Sequence, residues 1–422
     1  MDAARAAELE AADPLPTLRE EFLVPPWPDG TTPEWAYLAG NSLGLQPKAA
    51  QTEIEAELDE WARLGVEGWF EARKPWLEYA GSLRASIGRL VGASAEEVAA
   101  MNTLTVNLHL LLASFYRPTG QRFRLLIEDT AFPSDLYALQ SQAVWHGLDP
   151  AEAVVRVPLD GIADAIGDAA DSLALALLPA VNYLDGRVLD VAALTEEVHA
   201  VGAVAAWDLA HAVGNVSVSL HDADVDFAVW CHYKYVNAGP GAPGFLYVAA
   251  SLSGVLRSPV QGWFGQRDQF LMGRDYEPAP DIGRFLAGTP DIAGTAAVEE
   301  GVRLLAEAGI GRLRDKGMRL TDYLIALAGE WLTPLGCTLA SPRDAAHRGS
   351  HVCLRHPEAW RIGRALIRAG VIGDYRTPDR LRLGPAPITT AFTDVWDALD
   401  TTRQIIENKS YQDFPPEPAR VT

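Results

Sequence analysis

The stretch VDFAVWCHYKYVNAGPG, residues 225–241, places one lysine between an apolar run and a turn rich in glycine and proline. The apolar run, Val225 to Trp230, has the β-branched and aromatic content of a buried strand, which we expect to end near Lys234. Burial of a lysine favours the neutral amine, which is the form that attacks carbonyl groups. Lys234 is therefore either a Schiff-base lysine for a carbonyl cofactor or a surface lysine in a loop.

Two further strands are predicted upstream of this stretch. Leu173 to Pro179 and Ala203 to Asp208 are short apolar runs, and residues 190–202 between them have the periodicity of a helix. Strand, helix and strand in this order predict a parallel βαβ unit, whose ligands bind beyond the carboxyl ends of the strands. Asp208 and Lys234 are thus expected at one edge of the sheet. A carboxylate that faces a pyridinium nitrogen and a lysine that bonds to an aldehyde are the groups a pyridoxal phosphate site needs.

Two more segments suit such a cofactor. Asn102 to Asn107 precede the apolar run Leu108 to Phe115 and predict a helix start with threonine or asparagine caps. A helix N-terminus binds phosphate, although a capped start is more often only structural. Leu125 to Glu128 predicts a strand, after which Phe132 offers a ring for stacking and Asp135 a polar anchor. An ordinary proline turn is the alternative for that last segment.

The chain resembles the kynureninases, which are pyridoxal phosphate hydrolases of fold type I. The resemblance extends nearly from end to end and rests on six segments in the family's order: YLAGNSLGLQP at 37–47, MNTLTVNLH at 101–109, FPSD at 132–135, DLAHAVGN at 208–215, YKY and NAG within 233–239, and GWFG at 262–265. It implies an α/β fold similar to that of aspartate aminotransferase. Such a fold has a large domain with a mainly parallel sheet and a smaller C-terminal α+β domain.

The resemblance also implies roles for individual residues. Lys234 matches the lysine that bonds to the cofactor and moves the substrate's α-proton, and Asp208 matches the partner of the ring nitrogen. Tyr233 matches a residue that either anchors the cofactor phosphate or donates a proton. The other implied cofactor contacts are Leu104 and Thr105 at the phosphate-binding helix start, Phe132 as the stacking ring, Asp135, His211 near the phenolic oxygen, Trp263 at the phosphate, and Thr289.

Substrate contacts are implied at two places. Arg382, within LRLGPAP at 381–387, matches the arginine that holds the substrate α-carboxylate, and its planar guanidinium suits bidentate binding. The nearby Arg376 and Arg380 are then solvated surface charges.

The aryl end of the substrate would meet Ser42, Trp69 and Thr289. An indole at position 69 gives a ring hydroxyl no partner, which favours kynurenine over 3-hydroxykynurenine. A structural tryptophan in the core is the alternative for Trp69, because GWFE at 68–71 departs from the family's pattern.

The implied reaction is hydrolysis of the Cβ–Cγ bond of L-kynurenine to anthranilate and L-alanine, a step of tryptophan catabolism by the kynurenine pathway that leads to NAD biosynthesis. One rival is a lyase of the same fold similar to cysteine desulfurase, with Cys353 in RGSHVC as the sulfur acceptor. However, Val352 to Leu354 favours a half-buried strand, in which a cysteine behaves as a small apolar residue. A second rival is a cofactor-binding regulatory protein without turnover.

Composition excludes several other classes. A net charge of −21 disfavours nucleic acid and anionic membranes as partners. The three cysteines favour a reducing compartment, no apolar run is long enough to span a membrane, and the N-terminus is unlike a targeting leader, so we expect a cytoplasmic protein. The nine histidines show no metal-binding spacing, and no metal is expected. The resemblance implies a homodimer with active sites at the interface.

The positions of prolines and of apolar runs along the sequence predict three regions. Residues 1–70 form an N-terminal arm and helix that pack with the small domain, residues 71–294 the large cofactor domain, and residues 295–422 the small C-terminal domain. Prolines such as Pro28 exclude helix from the arm at 13–33, and the end from residue 415 is expected to fray. The helix at 51–64 is predicted to bury Ile54, Leu58, Trp61 and Leu64 on one face. Further elements are helices at 295–307, 312–327 and 359–369, and strands at 337–340 and 351–354.

Overall fold

The structure, a computed structural model, describes residues 2–26 and 35–417. Its strands are β1 Phe22–Leu23, β2 Ala36–Tyr37, β3 Gln46–Pro47, β4 Val98–Ala100, β5 Arg124–Glu128, β6 Val154–Val157, β7 Leu173–Pro179, β8 Val204–Asp208, β9 Phe227–Trp230, β10 Phe245–Val248, β11 Thr338–Leu339, β12 Val352–Arg355, β13 Val371–Ile372, β14 Asp374–Arg376 and β15 Arg380–Leu383. Pro28 of the predicted arm and residues 418–422 of the predicted frayed end lie outside the described residues.

The helices lie between these strands and after them. They are α1 Ala3–Ala11, α2 Lys48–Leu64, α3 Gly68–Glu71, α4 Trp76–Ser82, α5 Arg84–Val91, α6 Leu104–Phe115, α7 Pro133–Trp145, α8 Pro150–Ala153, α9 Ile162–Asp168, α10 Val191–Ala200, α11 Ala250–Ser253, α12 Ile292–Ala308, α13 Ile310–Leu327, α14 Ala359–Arg368 and α15 Phe392–Glu407. The predicted C-terminal helices are confirmed as α12, α13 and α14, each to within a turn. None of the described helices is long and apolar enough to cross a membrane.

A seven-stranded sheet carries the larger part of the fold. Its order is β4-β10-β9-β8-β7-β5-β6, with β6, β5, β7, β8 and β9 parallel and β10 antiparallel to both of its neighbours. The predicted βαβ unit is confirmed as β7, α10 and β8. Pro179 pairs with Asp208 in register, so these two strands end level at the carboxyl edge of the sheet. The α/β fold class predicted from the sequence is therefore correct.

Both faces of this sheet are covered. Side chains alternate along each strand, so that Trp207 and Trp230 pack into one hydrophobic cluster while Leu177 and Phe227 pack into another on the opposite face. Parallel strands buried on both faces give continuous apolar runs, which is why they could be recognised in the sequence.

A second, antiparallel sheet lies in the C-terminal part, in the order β11-β12-β15-β14. Its core is a separate cluster that includes Leu320, Val352 and Phe392, and the N-terminal segment contributes Ala6 and Leu38 to it. Strand β2 pairs in parallel with β13 as a separate two-stranded sheet, so residues before the large sheet join the C-terminal part. The boundaries after residues 70 and 294 stay a proposal.

The expectation that the strand from Val225 ends near Lys234 is wrong. Strand β9 ends at Trp230, because the following residues close into a turn in which the Ala238 N–H donates to the His232 carbonyl over 3.0 Å. Asn237 occupies the left-handed region with φ 60° in this turn. Lys234 therefore lies in a loop beyond the edge of the sheet.

The predicted face of α2 is only partly buried in this chain. Ile54 and Leu64 pack half-buried against a small hydrophobic cluster, whereas Leu58 is 48% and Trp61 65% exposed. Glu57 is buried instead, and its carboxylate accepts a hydrogen bond from Trp76 Nε1 over 2.9 Å. Amphipathic spacing located the helix but only part of the surface that packs against this chain.

Candidate active site

Lys234 is the centre of a cluster at the carboxyl edge of the large sheet. Its Nζ lies 2.9 Å from His211 Nε2 and 5.9 Å from the centroid of the Phe132 ring. His211 follows β8, Phe132 follows β5, and Lys234 follows β9, so three parallel strands of one sheet deliver these side chains to one place. The predicted meeting of residues from separate βα loops is thus present in the structure.

Two buried carboxyl groups lie beside the lysine. Burial raises the pKa of Asp208, and the charge of Lys234 and the Ala210 N–H, 2.8 Å from Asp208 Oδ1, oppose that rise. Burial and the adjacent Asp208 raise the pKa of Asp135 well above its ordinary value. Of the two, Asp135 therefore holds a proton more strongly than Asp208. Asp135 Oδ1 is buried without a hydrogen-bond partner in the described structure.

Two helix starts adjoin at this edge of the sheet. Thr103 caps α6, as the sequence predicts, by accepting the Val106 N–H over 3.4 Å. Thr105 Oγ1 lies 2.9 Å from Ser134 Oγ, which stands in the first turn of α7. Free backbone N–H groups and hydroxyls from two helices thus converge on Leu104 and Thr105, an arrangement suited to an anion such as phosphate.

Tyr233 links the lysine loop to the N-terminal segment. Its carbonyl accepts the Gly44 N–H over 2.7 Å, two residues after the half-buried Ser42. Burial, together with the neighbouring Cys231, raises the pKa of the Tyr233 phenol, so the phenol stays protonated at neutral pH. The residues before Ser42 are bonded to the C-terminal part, since the Leu38 N–H donates to the carbonyl of Ile372, in β13, over 2.8 Å.

Arg382 is buried and largely engaged. Its Nε donates to Asp374 Oδ1 over 2.7 Å, its Nη2 donates to Asp374 Oδ2, and its Nη1 donates to the Tyr183 carbonyl. These bonds use three of the five N–H donors of the guanidinium, which leaves two for another ligand. Arg376 also pairs with Asp374, at 3.3 Å, and is therefore not simply a solvated surface charge.

The residues proposed for the aryl end lie apart from this cluster. Trp69 is half-buried and packs at ring-centroid distances of 5.9 Å from Trp76, 6.2 Å from Phe264 and 6.5 Å from Trp263. Among the described residues, no hydrogen bond or ring contact joins Trp69 or Trp263 to Lys234. Thr289 is exposed in the loop before α12. The packing of Trp69 agrees with a structural tryptophan, and its contact with the aryl end of the substrate stays a proposal.

Two residues of the neighbourhood were not identified from the sequence. Asp374 binds Arg382, and His351 lies with its ring centroid 5.5 Å from that of His211. The sequence signal for His351 is the polar segment RGSH directly before β12, which was interpreted only in terms of Cys353. Cys353 is fully buried in β12, and burial raises its pKa to about 12, so its behaviour as an apolar strand residue is confirmed.

These residues fit the pyridoxal phosphate that the resemblance implies. Asp135 Oδ1 and His211 Nδ1 are both buried without a hydrogen-bond partner in the described structure, and a bound polar group would supply one. Lys234 would hold the aldehyde carbon, Asp208 the ring nitrogen, and the start of α6 the phosphate. Within the described residues, no group of three or more histidine, cysteine, aspartate and glutamate side chains could hold a metal ion.

Solved structures share the fold. A cysteine desulfurase from Thermococcus onnurineus NA1 superimposes with a TM-score of 0.74 at 18% identity, covering 89% of this chain and 95% of that chain. C-DES with glycine covalently linked to its PLP cofactor gives a TM-score of 0.75 at 16% identity, covering 91% of this chain and 98% of that chain. At such low identity these likenesses establish the fold and nothing further.

Sequence comparisons are more specific. Residues 313–402 match the model of the kynureninase C-terminal domain. A kynureninase from Myxococcus xanthus (strain DK1622) is 44% identical, with 94% of this chain and 95% of the relative covered. A kynureninase from Geobacillus thermodenitrificans (strain NG80-2) is 38% identical, with 97% of this chain and 95% of the relative covered. One from Salinispora tropica (strain CNB-440) is 41% identical, with 95% of this chain and 97% of the relative covered. The chain belongs to the kynureninase family.

Proposed function

We propose that the protein is a pyridoxal phosphate enzyme that hydrolyses the Cβ–Cγ bond of L-kynurenine and releases anthranilate and L-alanine. The observation that carries the proposal is the placement of Lys234 beside His211 and the Asp135–Asp208 pair at one sheet edge, in a chain of this family. When bound, the cofactor withdraws electrons from the substrate's α-carbon. The protein's own groups then position the substrate and move its protons.

Lys234 is the proposed base for the α-proton. Burial lowers the pKa of His211 well below its ordinary value, and the Lys234 charge lowers it further, so His211 is neutral and accepts a hydrogen bond from Lys234 Nζ. Because His211 stays neutral, this contact orients the Lys234 amine without taking its proton. Tyr233, protonated and adjacent in sequence, is the proposed proton donor or phosphate anchor.

Arg382 is the proposed receptor for the substrate α-carboxylate. Asp374 and the Tyr183 carbonyl fix its guanidinium, and the two remaining N–H donors are enough for one carboxylate. Ser42 and Thr289, with Trp69, are proposed for the aryl end. The apolar rings around Trp69 offer a ring hydroxyl no hydrogen bond, which supports a preference for kynurenine over its 3-hydroxy analogue.

We further propose a cytoplasmic homodimer that serves tryptophan catabolism. The dimer is supported by apolar side chains that are exposed in the single chain, with Trp61 at 65% and Val66 at 73% exposure, because a second copy would cover them. The three cysteines are free and buried, as suits a reducing compartment. Trp263, 38% exposed, is proposed to act across the interface.

The test is anthranilate fluorescence from cofactor-loaded protein given L-kynurenine, with loss of 3-hydroxykynurenine followed in parallel. We expect rapid release, a decrease of at least about a thousandfold in Lys234→Ala because the base and the cofactor bond are both removed, and no change in the exposed control Lys48→Ala. A yellow protein that releases no anthranilate would contradict the proposal. A preference for the hydroxylated substrate would contradict only the argument from Trp69.

The desulfurase alternative has one specific outcome in the same experiment. It requires an accessible thiolate, whereas Cys353 is fully buried with a raised pKa. Release of sulfide or alanine from L-cysteine, without turnover of L-kynurenine, would favour that alternative.

A further inference from the structure

His351 is a buried histidine for which no role has been assigned. It directly precedes β12, has no exposed surface, and stands with its ring centroid 5.5 Å from the His211 ring. The site described above therefore contains two imidazoles, of which only His211 contacts the lysine. A fully buried polar ring at a ligand site needs an explanation, because burial of a polar side chain without a partner is costly.

Neither ring nitrogen of His351 makes a well-formed hydrogen bond in the described structure. Burial lowers the pKa of His351 well below its ordinary value, and the charges of Arg382 and Lys234 lower it further, with only the nearby Tyr183 backbone opposing them. His351 is thus a neutral imidazole, which has one N–H to donate and one nitrogen to accept.

The position of His351 is defined by its neighbours. The Tyr183 carbonyl, which accepts a hydrogen bond from Arg382 Nη1, also lies close to His351. Gly186 allows this approach, since a Cβ there would lie 2.6 Å from the His351 carbonyl and 3.3 Å from its Nε2. His351 therefore lies near the carbonyl that binds Arg382 and, with 5.5 Å between ring centroids, near His211.

We propose that His351 is a further substrate-binding residue, whose ring N–H donates a hydrogen bond to the α-carboxylate that Arg382 receives. The inference rests on the proposed function and extends it to a residue of this chain. Three positive charges, those of Lys234, Arg376 and Arg382, act on this imidazole, and an anion is the ligand that such surroundings favour. A neutral donor adds direction to the carboxylate contact without adding a fourth charge.

The experiment compares His351→Leu with His351→Gln in the cofactor-loaded enzyme. A hydrogen bond to a charged group corresponds to an affinity change of about 10- to 100-fold. We expect His351→Leu to raise KM for L-kynurenine by about that factor with a much smaller change in kcat. His351→Gln retains an N–H donor, and its KM should stay within about threefold of the wild type.

A binding measurement separates this role from a general packing defect. The affinity for L-alanine, followed by the absorbance of the bound cofactor, should decrease in His351→Leu to the same extent as that for L-kynurenine. Inhibition by the amine that lacks the carboxylate should be unchanged. Equal weakening of L-alanine and of the amine that lacks the carboxylate, or a KM for L-kynurenine within twofold of the wild type, would overturn the proposal.

Two further outcomes have defined meanings. If His351→Leu does not retain the cofactor, His351→Ala takes its place. An Ala variant with wild-type KM would overturn the proposal, because alanine has no side-chain N–H to donate. If the wild-type enzyme releases no anthranilate, the proposed function itself fails. If the wild type is active and all His351 variants equal it, only this inference fails.

Discussion

Replacement of Asp374 by asparagine tests how the candidate carboxylate receptor is held. Asp374 side-chain exposure is 2% and that of Arg382 is 1%, and the two form a bidentate pair across the register of β14 and β15. Asparagine keeps the shape of the side chain but removes its charge and presents N–H groups to a guanidinium. The substitution therefore leaves Arg382 buried without its counter-ion.

The chain contains a matched control for this substitution. Asp379 also accepts two hydrogen bonds from one arginine, Arg355, both on Oδ2 at 2.9 and 2.7 Å, but the side chains are 23% and 52% exposed. Removing one partner of a buried pair costs about 3–5 kcal/mol. An exposed pair contributes about 0–1 kcal/mol. Asp374→Asn should thus destabilise the protein by at least about 2 kcal/mol more than Asp379→Asn.

Urea unfolding of the cofactor-loaded variants, followed by circular dichroism, measures this difference from the midpoints when the slopes agree. The KM for L-kynurenine should rise in Asp374→Asn and stay unchanged in Asp379→Asn, because only the first displaces Arg382. Equal midpoints for the two variants would refute the claim that burial makes the first pair indispensable. An unchanged KM in Asp374→Asn would refute the positioning of Arg382 by Asp374.

Two further predictions concern stability elsewhere. Glu97, 2.9 Å from His221 Nδ1, raises the pKa of His221, so the contact stabilises the fold below about pH 6.5, and this stabilisation is lost as pH rises through the raised pKa. His221→Gln should lower the melting temperature at pH 5.5 but not at pH 9, and a decrease that does not depend on pH would contradict this. Asp13→Ala should destabilise the protein by about 3–5 kcal/mol in urea unfolding, because it leaves the fully buried Lys316, 3.1 Å from Asp13, without its counter-ion. Glu8→Ala, in an exposed pair, should cost at most about 1 kcal/mol, and similar losses in the two variants would contradict the prediction.

The sequence allowed the centre of the large sheet to be predicted because local signals are strong there. β7 and β8 are apolar on both faces, and Asp208 is the polar residue that ends β8. Lys234 followed from its place between an apolar run and a glycine-rich turn, although the turn begins four residues earlier than expected.

Other parts of the site depend on contacts between distant segments, which periodicity does not encode. Asp374 meets Arg382 only through the register of β14 and β15, and His351 approaches His211 only when the two sheets come together. The predicted face of α2 is only partly buried for a related reason: apolar spacing identifies a surface suited to burial but not the chain that covers it, and Trp61 is 65% exposed here. The roles taken from the family resemblance stay predictions.

The backbone around Ser42 has a mechanical consequence. Gly40 donates to the Gly384 carbonyl of the small sheet over 3.0 Å, and Gly44 donates to the Tyr233 carbonyl over 2.7 Å. The four residue steps between these anchors span at most about 14 Å of extended chain. A movement of the small sheet would therefore be transmitted to the peptide next to Lys234. Substrate that pulls Arg382 toward the site would tighten the loop that carries Lys234 through the same short connection.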